Sequence, residues 1–308
     1  MEPVYVGKTR SFSVPPIAVG CMRIADMEEK QLQRHIAWCF QNGLNFFDHA
    51  DIYGGGECER RFGGAISAMG VRRDALCLQS KCGIVPGVMH DLSAEHILRS
   101  VEGTLSRLRT DYLDVLLLHR PDALCEPEEV ASAFDELERT GKVRRFGVSN
   151  FNPMQIELLK DCVSQELLFN QLQMSLPVSG MIASGLEVNM MTDAAVNRDG
   201  YVLDYCRRNR ITIQVWSPFQ YGFFSGVFLQ NREAFPELNQ ALDAMAEKYA
   251  VTPTGIATAW LLRHPARMQV VAGTTRTERL KEIIAGSKIC LSREEWYKLY
   301  LAAGHILP

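Results

Sequence analysis

Short apolar runs alternate with amphipathic stretches along almost the whole chain. The runs occupy 17–22, 45–49, 75–81, 112–119, 143–149, 167–173, 211–216 and 269–272. Each is nearly continuous in apolar residues, the composition of strands covered on both faces, as in a parallel sheet. Between them the spacing lengthens to that of helices. Leu32, Ile36 and Phe40 recur every four residues up to Gly43, with Asp26 and Glu29 as the expected capping pair. Further helices are predicted over 57–69, 93–109, 127–140, 201–210 and 277–286, with two more around 237–264, the second opened by Thr252-Pro253. Asn152, Pro153 and Gln155 sign another helix start, and Ser292 with Glu295 the last. At the N-terminus, 4–6 and 11–14 flank a Gly7–Arg10 turn and predict a hairpin that covers the bottom of the core. The stretch 176–200 breaks the rhythm and reads as a long loop or broken helix.

Eight strand–helix units in one domain, 1–308, predict a (β/α)8 TIM barrel with an N-terminal β-hairpin cap and extra C-terminal helices. A doubly wound sheet is the alternative. It would show fewer units and a G-x-G-x-x-G fingerprint, which Gly54-Gly55-Gly56 does not supply.

Composition narrows the class without choosing a function. With 47% hydrophobic and 22% charged residues in 308, the chain can bury a large core. A net charge of -3 offers no basic footprint for nucleic acid or an anionic membrane, and no apolar run reaches the length of a membrane span. Nine scattered cysteines without C-x-x-C spacing suit a reducing compartment, so a cytoplasmic location is expected.

In a barrel the active site lies at the carboxyl ends of the strands. The residues there are Met22-Arg23, Asp48, Lys81, His119, Ser149-Asn150, Gln171, Trp216-Ser217 and Gly273-Thr274-Thr275. Tyr53 follows Asp48 in a Gly-rich loop that lets the backbone turn sharply. Taken alone, that segment also reads as an Asp capping helix 57–69 and a Tyr covering apolar surface. Asp, Tyr, Lys and His converging from three strands make a different case. A Lys ammonium beside a phenol stabilises the phenolate and lowers its pKa, and a carboxylate holds the Lys charged and aimed. Such a group is an acid for C=O and a base for C–OH, and needs a hydride carrier to complete the reaction. Metal hydrolysis would need clustered ligands, whereas only His49 and His119 fall near this face. A Schiff-base Lys81, as in barrel aldolases, is the stronger rival.

Over nearly its whole length the chain resembles the aldo-keto reductases, in particular a bacterial subgroup of oxidoreductases. Asp48 and Tyr53 in FFDHADIYGGGE, Lys81 in LQSKCG and His119 in DVLLLHRPD match that family's catalytic residues. The resemblance implies an enzyme that reduces an aldehyde or ketone to an alcohol with NADP(H), in preference to NAD(H), Tyr53 acting as general acid. It implies further that Ser149, Asn150 and Gln171 hold the nicotinamide together with Met22, Arg23 and Asp48, and that Trp216 stacks on the ring. Ser217, Pro218, Phe219, Gly222 and Phe223 would belong to a loop, 217–226, over the pyrophosphate. Gly273, Thr274, Thr275, Arg276, Arg279 and Glu282 would form the adenosine-phosphate site, at a helix N-terminus. Gly273 stands where many members carry Lys, and Ile283 where many carry Asn. A small carbonyl or alcohol substrate is the implied partner, with pocket walls from Phe219, Tyr221, Phe223, Phe224 and Phe228. A regulatory barrel that keeps the cofactor as a sensor, like potassium-channel β-subunits, is the alternative.

Overall fold

A computed structural model describes residues 1–222 and 225–308. Phe223 and Phe224, expected in the cofactor loop and pocket wall, lie outside the described residues. The strands are β1 Val4–Val6, β2 Phe12–Val14, β3 Ile17–Gly20, β4 Phe46–Asp48, β5 Cys77–Cys82, β6 Ile84–Val85, β7 Met89–His90, β8 Val115–Leu118, β9 Phe146–Ser149, β10 Leu167–Gln173, β11 Thr212–Trp216 and β12 Gln269–Ala272. Eight of them close a barrel in the order β3-β4-β5-β8-β9-β10-β11-β12, and the pairings round it are parallel. Chain order and spatial order agree because each intervening helix returns the chain to start the next strand.

Alternation along each strand divides the apolar residues into two cores. Ala18, Phe46, Val115, Leu117, Phe169 and Val271 form the inner one, joined by Val6 and Val14 of the β1–β2 hairpin, which closes the bottom of the barrel as expected. The larger core lies between the sheet and the surrounding helices and includes Phe47, Leu78, Leu116, Leu118, Val148 and Ile213.

The helix starts follow their capping chemistry. Asn152 and Ser292 each head a full capping box, while Ser93 and Thr252 accept from the backbone of the first turn. The first helix departs from expectation: it spans Glu29–Gln41 behind an extended Glu28 with no side-chain cap, since Asp26 lies in the turn before it. Segment 176–200 is a broken helix, Gly180–Leu186 and then a single 3-10 turn, Asp193–Ala195. The β6–β7 hairpin was not expected. Gly83, at φ 106°, turns the chain out of β5 into it.

Candidate active site

The carboxyl ends of the barrel strands are tied together by backbone bonds that continue past the strands. Cys21 N–H donates to Asp48 O (2.9 Å), His49 N–H to Gln79 O (2.8 Å), His119 N–H to Cys82 O (2.8 Å) and Asn150 N–H to Gln171 O (3.0 Å). Each site residue is thereby fixed by the neighbouring strand. Tyr53 is carried differently, in a 3-10 turn, Tyr53–Gly56. Gly54, Gly55 and Gly56 all have positive φ, and a Cβ on Gly56 would meet Arg107 at 2.8 Å, so the turn that aims the phenol needs glycine.

At the centre, the Lys81 ammonium lies 2.8 Å from Asp48 Oδ1, donates to His49 O (2.7 Å) and reaches Tyr53 Oη at 3.2 Å. Lys81 is 0% exposed and Asp48 2%. A buried ion pair holds only when its remaining polar atoms are satisfied. That is achieved by two amides, since Gln79 and Gln171 donate to Asp48 Oδ1 at 2.6 and 3.1 Å. Both are bonded in turn to Gln214, which continues to Gln269 and so to Pro15 O at the barrel floor. Gln79, Gln214 and Gln269 were missed in the sequence. The available signal was an amide inside each otherwise apolar run, with Gln79 two residues before Lys81 and so on the same face of β5. Asp48 is not a helix cap. The helix Glu57–Ala68 begins behind Gly56 with no side-chain cap at all.

Burial raises the Lys81 question in its sharpest form, because desolvation pulls an ammonium's pKa down. Asp48 and Tyr53 outweigh it, and Lys81 is held above its ordinary value, hence charged. Tyr53 moves upward too, principally through burial, with Lys81 opposing. The expected lowering is therefore only a partial offset here: the phenol stays protonated at neutral pH. His119 is pushed well below its ordinary value by burial, with Lys81 and Arg120 adding to it, so it is neutral. Its ring stands edge-on to Tyr53 at 6.0 Å between centroids, and its Nδ1 is buried without a hydrogen-bond partner.

Asp48, Tyr53 and His119 open into one cavity of about 460 Å³. Its lining includes Met22, Arg23, Asp48, Tyr53, His119, Ser149, Asn150, Gln171, Trp216, Ser217, Pro218 and Phe219, and it runs on to Gly273, Thr274, Arg279 and Ile283. Gly222, Thr275, Arg276 and Glu282 do not line it, although Glu282 faces Arg279 at 3.8 Å and Arg276 N–H donates to Thr274 Oγ1 (3.2 Å). Of the expected wall aromatics among the described residues, Phe228 is buried in the core, Tyr221 packs on Phe235 (5.2 Å), and Phe219 lines the cavity. Ile52, Ile84, Arg120, Gln220 and Val227 also line it and were not anticipated, as do Gly20 and Val271. Asn150 donates to Ser149 Oγ (2.8 Å) and accepts from the Trp216 indole (3.2 Å), so the ends of β9 and β11 share one polar shelf. Among the described residues there is no cluster able to hold a metal ion, all nine cysteines are free, and no helix is long and apolar enough to cross a membrane.

The closed parallel barrel carries its buried carboxylate–ammonium–phenol group at the strand ends, the face on which barrel enzymes place their active sites. The chain belongs to the aldo/keto reductase family, whose model matches residues 16–300. It is 36% identical over 300 residues to the 6-dehydroglucose reductase of Agrobacterium fabrum, covering 93% of each chain. Among solved structures it is similar to the thermostable aldo-keto reductase Tm1743 in complex with the inhibitor epalrestat (27% identity, TM-score 0.78, 98% of this chain and 100% of that one). It is also similar to an aldo-keto reductase from Klebsiella pneumoniae in complex with NADPH (25% identity, TM-score 0.76, 97% and 93%). The chain is therefore an oxidoreductase of the carbonyl-reducing kind.

Proposed function

We propose that the protein reduces an aldehyde or ketone to an alcohol with NADPH, Tyr53 serving as the proton donor. The observation that carries this reading is the contact of a fully buried, charged Lys81 with both Asp48 (2.8 Å) and the hydroxyl of Tyr53 (3.2 Å), two residues that line the cavity. The cavity suits a dinucleotide, because one hollow joins the acid–base group to Thr274 and Arg279, with the amides of Asn150 and Gln171 between. Ser149, Asn150, Gln171 and Trp216 would hold the nicotinamide end and Arg279 the 2'-phosphate, and the Klebsiella relative's NADPH complex supports that choice. When bound there, the cofactor would supply the hydride that the carbonyl carbon accepts, becoming NADP⁺.

The protein's own share is the proton. The Tyr53 hydroxyl donates to the carbonyl oxygen as negative charge grows there, and the Lys81 ammonium stabilises the phenolate left behind. Asp48 keeps Lys81 charged and prevents it from swinging away. Neutral His119 offers a ring N–H to the same oxygen and orients it. A proton from solvent then restores the phenol, so the balance is carbonyl plus hydride plus proton giving alcohol. Lys81 as a Schiff-base nucleophile fits less well, because a charged, ion-paired amine has no lone pair to offer.

Tyr53→Phe tests the reading. Carbonyl reduction should fall on the order of 10²-fold or more, while NADPH affinity by fluorescence titration is kept. Near-normal turnover removes Tyr53 from the mechanism, and borohydride trapping of a substrate on Lys81 would then establish the imine route. Tight NADPH binding with no turnover of any aldehyde in the wild type would instead make the barrel a cofactor sensor.

A further inference from the structure

Arg120 follows His119 directly and lines the same cavity. It is half-buried, and burial alone moves its guanidinium below its ordinary pKa. Among the described residues it has no hydrogen bond, no ion pair and no aromatic face to rest on. The neighbouring Asp122 is engaged elsewhere, accepting from the backbone N–H of Leu92 (3.0 Å) and of Leu124 (2.9 Å). The other lining cations have employment: Arg23 donates to Gly273 O (3.0 Å) and Arg279 faces Glu282 at 3.8 Å, while the nearby Lys81 is paired with Asp48. His90, also close to His119, bonds Pro121 O (2.7 Å). Asp48, the cavity's one lining carboxylate among the described residues, is already neutralised by Lys81.

A partly desolvated guanidinium without a counter-charge is costly, and the site holds nothing of its own to offset it. Its planar fork matches a carboxylate or phosphate in two parallel hydrogen bonds. We infer that Arg120 is the subsite for an anionic group on the carbonyl substrate, which makes the preferred substrates oxo-acids or phosphorylated carbonyl compounds rather than neutral aldehydes. The inference rests on the carbonyl-reduction reading above. Ile52, Ile84 and Phe219 supply the apolar wall against which the carbon skeleton lies.

The test compares 4-carboxybenzaldehyde, 4-formylphenyl phosphate and the neutral 4-formylbenzamide as substrates of wild type, Arg120→Met and Arg120→Lys. Wild type should prefer one of the two anions in kcat/KM, and which one identifies the group. Arg120→Met should lose tenfold to a hundredfold for that substrate, mainly in KM, with the amide changed by less than about threefold. Arg120→Lys should recover part of the loss. Equal losses for charged and neutral substrates, or no preference in wild type, overturn the subsite while leaving carbonyl reduction standing. If wild type turns over none of the three, carbonyl reduction is what fails for these probes. Calorimetric binding of 4-(hydroxymethyl)benzoate, 4-(hydroxymethyl)phenyl phosphate and 4-(hydroxymethyl)benzamide to wild type and Arg120→Met then decides the subsite by itself. Tighter binding of either anion than of the amide, lost in Arg120→Met, supports it, and equal binding refutes it.

Discussion

Lys81 and Asp48 face each other at 2.8 Å with their side chains 0% and 3% exposed, an ion pair cut off from water at the top of the barrel. Removing either partner strands the other charge. Breaking a buried pair from one side costs roughly 3–5 kcal/mol of folding stability. Lys81→Met should therefore lower the denaturation midpoint as well as abolish turnover. Asp48→Asn should be milder in stability, because the amide keeps the size of the side chain. Urea unfolding of both variants beside kcat measures this, and an unchanged midpoint for Lys81→Met would show that the pair contributes nothing net.

Much of this site was legible in the sequence, for a physical reason. A strand buried on both faces leaves a nearly unbroken apolar run, so the polar residue that ends it, Lys81 or His119, stands out. Gln79, Gln214 and Gln269 were harder to see. They sit within the runs, and their role depends on register across strands, Gln214 opposite Gln269 and Gln79 opposite Asp48, which no single run reveals. Arg120 was hidden by its neighbour: beside a His at a strand end, a charged residue reads as solvated rim. The start of the first helix was misplaced because Asp26 and Glu29 imitate a capping box, whereas the backbone enters the helix only after an extended Glu28.

The proton chemistry fixes the direction of the pH dependence. Reduction uses the protonated phenol, and burial holds Tyr53 above its ordinary value with Lys81 opposing. The reduction rate should be flat across neutral pH and fall as pH climbs through the Tyr53 pKa, while alcohol oxidation, which needs the phenolate, rises over the same range. His119, kept neutral by burial, contributes no limb near pH 6.5. Profiles of kcat/KM in both directions check this. A reduction rate that halves near pH 6.5 would assign the proton to a histidine.

Cofactor choice should rest more on Arg279 than on Arg276. Arg279 lines the cavity, whereas Arg276 lies at the cap of the helix Thr277–Gly286 and its backbone is occupied with Thr274. Charge-assisted bonds are worth roughly 1.5–3 kcal/mol, so Arg279→Ala should weaken NADPH binding by about tenfold or more and leave NADH nearly unchanged. Arg276→Ala should cost clearly less. Fluorescence titration of the two variants with both cofactors makes the comparison, and equal losses for NADPH and NADH would detach this helix from the 2'-phosphate.

Asp51 makes a stability prediction next to the site. Its Oδ1 is buried without a partner, and its N–H donates to Lys81 O (3.1 Å). Burial first, and then the fully buried Glu59, push its carboxyl up to about 7, with Arg107 acting the other way. An unfolded Asp titrates near about 4. Between those values the folded state holds a proton that the unfolded state has lost, so stability falls as pH rises through this window, and the penalty is complete above it. Asn mimics the protonated carboxyl and keeps the backbone bond to Lys81. Asp51→Asn should therefore melt higher than wild type at pH 8, by a few degrees for each kcal/mol relieved. The gap should close as pH drops toward 4, where wild-type Asp51 is itself protonated. Melting curves of the two proteins from pH 4 to 8 decide it: a gap that stays constant with pH would mean that the substitution acts through packing and that Asp51 carries no buried charge.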